Sequence, residues 1–236
     1  MERWGLDGRV IAVTGAAGSL GPVVAPRLAS AGARLSLNGR RRPPLEELAR
    51  EVGGAEVAAV DLLDAEATTG WADDLVRRHG HVDGLVHLVG GWRGGTPIEE
   101  SPREDWDVLH AHLVSTTQNV TRAFARHLMA SGRGRFVIVS SGQAQAPTHT
   151  NAAYAAAKAA AEAWTFALAD RFRGTGATAN VVVVGAIVTP RLRAESPERD
   201  FSTFTPAEEI AEAIAYLCSD AASSMNGQRL TLRGAA

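Results

Sequence analysis

The sequence predicts an α/β fold, a doubly wound parallel sheet of about seven strands with helices on both faces. Three observations predict it. Short runs rich in β-branched and apolar residues alternate with helical patterns from residue 10 to residue 232. The first run, Val10–Thr14 (VIAVT), breaks directly into the glycine-rich turn GAAGSLG. No repeat, low-complexity tract or linker interrupts the pattern, so residues 1–236 are expected to form a single domain.

Taken in order, Val10–Thr14 reads as a buried strand, followed by a turn and a helix over 20–31. Pro26 lies past the first turn of that helix and is expected to remove a backbone hydrogen bond or kink it. Further strands are expected at Leu35–Leu37, Val57–Val60, Gly84–Val89, Phe136–Val139, Ala179–Val184 and Arg229–Leu232. Helices are expected over 44–52, 65–79, 103–131, 151–172 and 206–218. The stretch 151–172 carries no Pro or Gly and is mostly Ala, the strongest helix former.

Composition narrows the function classes. Apolar residues make up 45% of the chain, enough for a buried core, and the formal net charge of −2 implies no polyanionic partner such as nucleic acid. No apolar segment reaches the ~20 residues of a membrane span, and MERWGLDGRV at the start lacks the apolar run of a signal peptide. Cys218 is the single cysteine, which excludes an intrachain disulfide and a thiolate zinc site. The seven histidines show no metal-binding spacing, so no metal is expected, and a reducing cytoplasm is the expected location.

Tyr154 and Lys158 stand four apart on the Ala-rich helix and so share a face. Lys158 is the only lysine, against 23 arginines. Where a generic cation serves, this sequence writes Arg. A lone Lys beside a Tyr points to a need for a compact ammonium instead of a planar guanidinium. The other reading is a solvated Lys on an Ala-rich helix.

The first turn reads Thr14-Gly15-Ala16-Ala17-Gly18-Ser19-Leu20-Gly21. Glycines there allow a tight turn and let backbone approach a pyrophosphate, which a helix N-terminus favours. Gly15, Gly18, Ser19, Leu20 and Gly21 are therefore candidate cofactor contacts, unless the turn merely needs positive φ. The second strand ends Leu37-Asn38-Gly39-Arg40-Arg41-Arg42. An NAD site places a carboxylate here, whereas Arg accommodates the 2′-phosphate of NADP. NADP(H) is expected over NAD(H), with Arg40 as the first candidate contact; a solvated basic loop is the alternative. After the third strand, Asp61 fits either an adenine contact or a helix N-cap, with Leu62 beside it.

With these motifs the chain resembles the short-chain dehydrogenase/reductase family over nearly its whole length. The resemblance rests on Thr14 to Gly21, Asp61-Leu62, Gly90, Ser141, Tyr154-x-x-x-Lys158, Asn180 to Thr189 and Gly227-x-x-Leu230. It implies a Rossmann fold and a catalytic trio of Ser141, Tyr154 and Lys158. It also implies cofactor contacts from Val89, Gly90, Tyr154, Lys158, Ile187 and Thr189, with Thr189 near the carboxamide. The chemistry agrees. Hydride arriving at an electrophilic carbon leaves negative charge on oxygen, and a proton donor must meet it. An ammonium ~4 Å from the phenol favours tyrosinate by about 4 kcal/mol, or about three pK units, with burial opposing. The expectation is a phenol poised nearer neutrality. Ser141 would hold the substrate oxygen, or else cap a strand end.

The sequence departs from the family pattern in places. His87-Leu88-Val89-Gly90 stands where Asn-Asn-Ala-Gly is usual, and Leu113 aligns with the family's relay Asn. His110 and His112 lie near it, as substitutes or as surface or interface residues. The Gly15, Gly18 and Gly21 spacing, the stretch Val89 to Gly95 with Trp92, and Asp200 to Pro206 resemble dihydropteridine reductases, which reduce a flat quinonoid ring. Trp92 would stack on such a ring or simply pack. Arg40 and Ser141 go against that narrower branch. Residues 190–205 form a charged lid in which Arg191 or Arg193 meets an acidic substrate or solvent. The expected partners are a small-molecule substrate and the chain itself, as a homodimer or homotetramer through helices 103–131 and 151–172. A second class remains: an NADP(H)-binding regulator without turnover.

Overall fold

The computed structural model describes residues 4–232. Nine strands run in chain order: β1 Val10–Thr14, β2 Arg34–Asn38, β3 Glu56–Ala58, β4 Gly84–His87, β5 Arg135–Ser141, β6 Thr178–Val184, β7 Ile187–Val188, β8 Thr205–Pro206 and β9 Arg229–Thr231. The helices are α1 Gly21–Ser30, α2 Arg42–Glu51, α3 Ala65–His79, α4 Arg103–Leu109, α5 Thr116–Ala130, α6 Ala152–Arg171, α7 Pro190–Glu195 and α8 Ala207–Cys218. Seven strands form one sheet in the order β3-β2-β1-β4-β5-β6-β9, and every adjacent pair is parallel. Strand order reverses between β1 and β4, which opens a crevice beyond their carboxyl ends.

Both faces of the sheet are covered, as its side chains dictate. Along β1, Ile11 and Val13 enter one core with Val24 and Leu28 of α1 and Ile210 and Ile214 of α8. Val10 and Ala12, one step out of phase, enter the other with Trp71 of α3, Phe124 of α5 and Ala161 of α6. A strand whose alternate residues are all apolar must be buried on both sides. Among the described residues no helix is long and apolar enough to cross a membrane.

Helix α1 runs through Pro26 to Ser30, within the expected 20–31. Three expectations needed adjustment. Strand β3 stops at Ala58 because the Asn38 side chain takes the carbonyls of Ala58 and Val60, both at 3.0 Å. The long helix over 103–131 is interrupted by a π-helical turn, His110–Ser115. Just after it, the Thr116 and Thr117 hydroxyls bond back to the carbonyls of His112 and Leu113, at 2.5 and 2.7 Å. The lid contains more order than expected, with helix α7 and a small parallel pair of β7 and β8.

Candidate active site

The crevice is a cavity of about 790 Å³. At one end the β1–α1 turn supplies Gly15, Gly18, Ser19 and Leu20. Gly15 has φ +66°, and a Cβ there would stand 2.9 Å from Val89 N, so the turn and the β4 loop can close together only around a glycine. Gly21 does not line the cavity. A Cβ on it would fall 1.8 Å from the Ala16 carbonyl oxygen, which makes it the contact where α1 packs on its own turn. No side chain caps α1 at Leu20, so the N–H groups of its first turn have no side-chain acceptor.

Arg40 and Arg41 line the far wall with Asn38 and Gly39. Among the described residues neither arginine has an ion-pair partner, whereas Arg42 pairs with Glu46 at 3.6 Å on α2. Asp61 and Leu62 line the same end. The N-cap of α3 is Asp64, so the capping alternative for Asp61 does not hold; its carboxylate accepts from Leu63 N at 3.0 Å instead. Asn119 of α5 pins this loop through the Leu62 carbonyl at 2.9 Å.

At the other end β5 and α6 bring the trio together. Ser141 closes β5, accepts from Gln143 N at 3.3 Å and is hydrogen-bonded to the Tyr154 phenol. Tyr154 and Lys158 line the cavity from α6; Ser141 touches it through Tyr154 and is not itself part of the wall. Lys158 Nζ donates to the Val139 carbonyl at 2.8 Å and lies 5.8 Å from the centre of the Tyr154 ring. Val89, Gly90 and Ile187 are on the wall. Thr189 is not: its hydroxyl accepts from Leu192 N at 3.1 Å and caps α7.

The titration of the phenol runs against expectation. Burial pushes Tyr154 above its ordinary value, and the hydrogen bond from Ser141 only partly offsets this. Burial also pulls Lys158 down to about 8, against the opposing charge of Glu162. The ammonium is hydrogen-bonded to a backbone carbonyl, and desolvation is the larger effect on the phenol.

Sequence reasoning missed Thr116, which reaches the cavity wall from the interrupted helix. Of the two histidines weighed there, His112 is on the wall and His110 is not, its ring lying 5.6 Å from Trp106 instead. His87 is buried between Thr14 Oγ1 at 2.7 Å and Thr116 Oγ1 at 3.2 Å. Burial first and the charge of Lys158 second push His87 down to about 3. Leu113 packs inward with Leu109 and Ala157. Trp92 is on the wall and 59% exposed. Its loop is braced by Arg93–Asp105 at 2.9 Å and by Gly95 N to Thr150 O at 2.7 Å. Arg191 pairs with Glu195 at 2.6 Å and Arg193 stacks over Phe201 at 5.6 Å; neither lines the cavity.

The chain is similar to known proteins. A family model described as enoyl-(acyl carrier protein) reductase matches residues 15–234. The chain is 31% identical to the D-threitol dehydrogenase of Mycolicibacterium smegmatis, over 97% of this chain and 93% of that protein. It is 31% identical to the gluconate 5-dehydrogenase of Gluconobacter oxydans, over 99% and 96%. Among solved structures, a Burkholderia cenocepacia gluconate 5-dehydrogenase in complex with NADP and tartrate superposes with a TM-score of 0.87 at 29% identity, covering 98% of this chain and 96% of that one. An NAD+-bound xylitol dehydrogenase shares the fold with a TM-score of 0.87 at 24% identity, over 99% of this chain and 100% of that one.

Proposed function

Since the chain belongs to the short-chain dehydrogenase/reductase family and is an NAD(P)-dependent enzyme of it, we propose that it prefers NADP(H) and interconverts a carbonyl and an alcohol with Tyr154 as general acid and base. The observation that carries this is the meeting of Ser141, Tyr154 and Lys158 at one end of a cavity whose other end is a glycine turn.

The residues present fit a dinucleotide. The turn offers backbone donors without a side-chain cap, suited to a pyrophosphate. Arg40 and Arg41, without an ion-pair partner among the described residues, stand where a 2′-phosphate would lie. The nicotinamide, when bound, exchanges the hydride. The chain supplies the proton and the field. Tyr154 donates its phenolic proton to the substrate oxygen in reduction and accepts it back in oxidation. Ser141 hydrogen-bonds at the phenol and orients the substrate oxygen beside it. Lys158 supports the phenolate that forms, and burial keeps water from screening that support.

A flat quinonoid substrate is a second reading, favoured by the exposed indole of Trp92 on the wall. The chain is also expected to self-associate through α4, α5 and α6. On α6 the exposed positions Ala156, Ala159, Ala163 and Ala167 form a smooth stripe. Light-scattering mass in solution tests for a dimer or tetramer.

The decisive experiment follows NADPH absorbance with a panel of carbonyls, phenanthrenequinone and quinonoid dihydropterin. Turnover by the wild type, lost by about 10²–10⁴-fold in Tyr154→Phe with NADPH binding retained, is the expected result. Turnover that survives in Tyr154→Phe sinks the acid/base assignment. NADPH binding without turnover of any acceptor leaves the regulator reading instead.

A further inference from the structure

We propose that Glu162 is a positioning residue for this reaction, a buried carboxylate that holds the Lys158 charge in the site and locks the end of β5 and the loop after it onto α6. The proposal rests on the reading of Tyr154 as acid and base.

Glu162 lies one turn beyond Lys158 on α6, so Tyr154, Lys158 and Glu162 follow one another along a single face. It is only 1% exposed. Three separate elements send donors to it. Ser140 Oγ, from the residue before Ser141 on β5, donates to Oε1 at 2.5 Å. Gln145 Nε2, from the loop beside the substrate end, reaches both oxygens at 2.9 and 2.8 Å. Arg229 Nε, from β9, donates to Oε2 at 2.6 Å while its guanidinium stacks 4.4 Å over Phe166.

Burying a carboxylate is costly, and a well-packed apolar residue in its place is often neutral or stabilising. Packing alone therefore does not account for a charge at this position. Arg229 pairs with the carboxylate directly, and Lys158, one turn back on α6, is the second cation that its charge reaches. Burial works to neutralise that ammonium, and Glu162 is the charge that opposes it. The other groups facing Lys158 do not supply an anion. His87 on β4 is held neutral, His112 reaches the cavity from the π turn, and Tyr154 on α6 is a phenol. Arg229 from β9 faces the carboxylate and moderates its field.

This makes a prediction in two opposite directions. In Glu162→Gln the site loses an anion but keeps its volume. The alkaline limb of NADPH-dependent phenanthrenequinone reduction, set jointly by Lys158 and Tyr154, is expected to move down by about one pH unit. In Arg229→Gln the site loses a cation that is 44% exposed, and the limb is expected to move up by less. A purely structural role would lower the melting temperature and the rate in both variants and leave the limb where it was. Coincident limbs for Glu162→Gln and wild type overturn the proposal, as does a downward shift in Arg229→Gln. If Glu162→Gln does not fold, an unmoved limb in Arg229→Gln overturns it alone. Failure of the underlying reading looks different: the wild type and Tyr154→Phe would then turn over equally, or not at all.

Discussion

Lys158 Nζ bonds the carbonyl of Val139 at 2.8 Å, while 5.8 Å separate it from the centre of the Tyr154 ring. The lysine is thus anchored on β5, beneath the phenol, and its charge acts through space. At about 8 its proton is weakly held compared with an ordinary lysine. Carbonyl reduction is expected to fall as pH rises past about 8, because the neutral amine no longer favours phenolate. Stability should move the other way. Between pH 8 and the ordinary value of 10.5 the unfolded chain binds the proton that the folded chain has released. Unfolding free energy therefore rises with pH across that window. Urea titrations of wild type and Lys158→Met at pH 7.5 and 9 check this, and the wild type should gain relative to the variant. A gap between the two that is constant with pH would count against the buried, weakly protonated lysine.

His87 gives a second pH signature, at acid. Thr116 Oγ1 donates to the His112 carbonyl, so it accepts from His87 Nε2–H, and His87 Nδ1 accepts from Thr14. The neutral ring is therefore fully used, and a second proton would displace the Thr14 hydroxyl. With the folded value at about 3 against an ordinary 6.5, the unfolded state binds more protons between these limits. Stability is then lost as pH falls below 6.5, at up to about 1.4 kcal/mol per pH unit. His87→Asn should flatten the slope between pH 6 and 4. An identical slope in that variant would show that the acid sensitivity resides elsewhere.

How much of this was legible without coordinates depended on range. Tyr154 and Lys158 could be paired because they are one helical turn apart, and the glycine turn because it follows a strand at once. Ser141 came only through the family spacing. Glu162 gave no local signal: its partners Ser140 and Arg229 lie 22 and 67 residues away in sequence, the first meeting it because α6 packs on β5, the second because β9 joins the sheet beside β6. The π turn left a faint trace in Ser115-Thr116-Thr117, a run that bonds back to its own helix, but the apolar period around it masks the break. Thr189 went to helix capping because Pro190 starts α7 directly after it.

Arg40 tests the cofactor preference. It stands exposed on the cavity wall without an ion-pair partner among the described residues, so a phosphate there would find a free guanidinium. Charge-assisted hydrogen bonds contribute about 1.5–3 kcal/mol, so Arg40→Ala should weaken NADPH binding by roughly 10–150-fold and leave NADH nearly unchanged. Arg41→Ala, next along the wall, should cost less. Fluorescence titration with each cofactor reads this directly, and equal wild-type affinities for NADPH and NADH would remove the preference altogether.

Two glycines separate packing from binding. At Gly21 an added Cβ would stand 1.8 Å from the Ala16 carbonyl oxygen, a backbone atom that cannot swing aside. At Gly90 the nearest protein atom to an added Cβ is 3.9 Å away, yet the residue is on the cavity wall. The expected outcomes are opposite. Gly21→Ala must push α1 off its turn and should lower stability by about 2 kcal/mol or more. Gly90→Ala should leave stability within about 0.5 kcal/mol of wild type, as substitutions free of protein contacts do, while weakening NADPH binding because the methyl occupies cavity space. Thermal melts run with and without NADPH distinguish them: the cofactor-induced upward shift should shrink in Gly90→Ala, whereas Gly21→Ala should melt early even without cofactor. A Gly90→Ala protein that binds NADPH as tightly as wild type would show that this part of the wall is not where the dinucleotide lies.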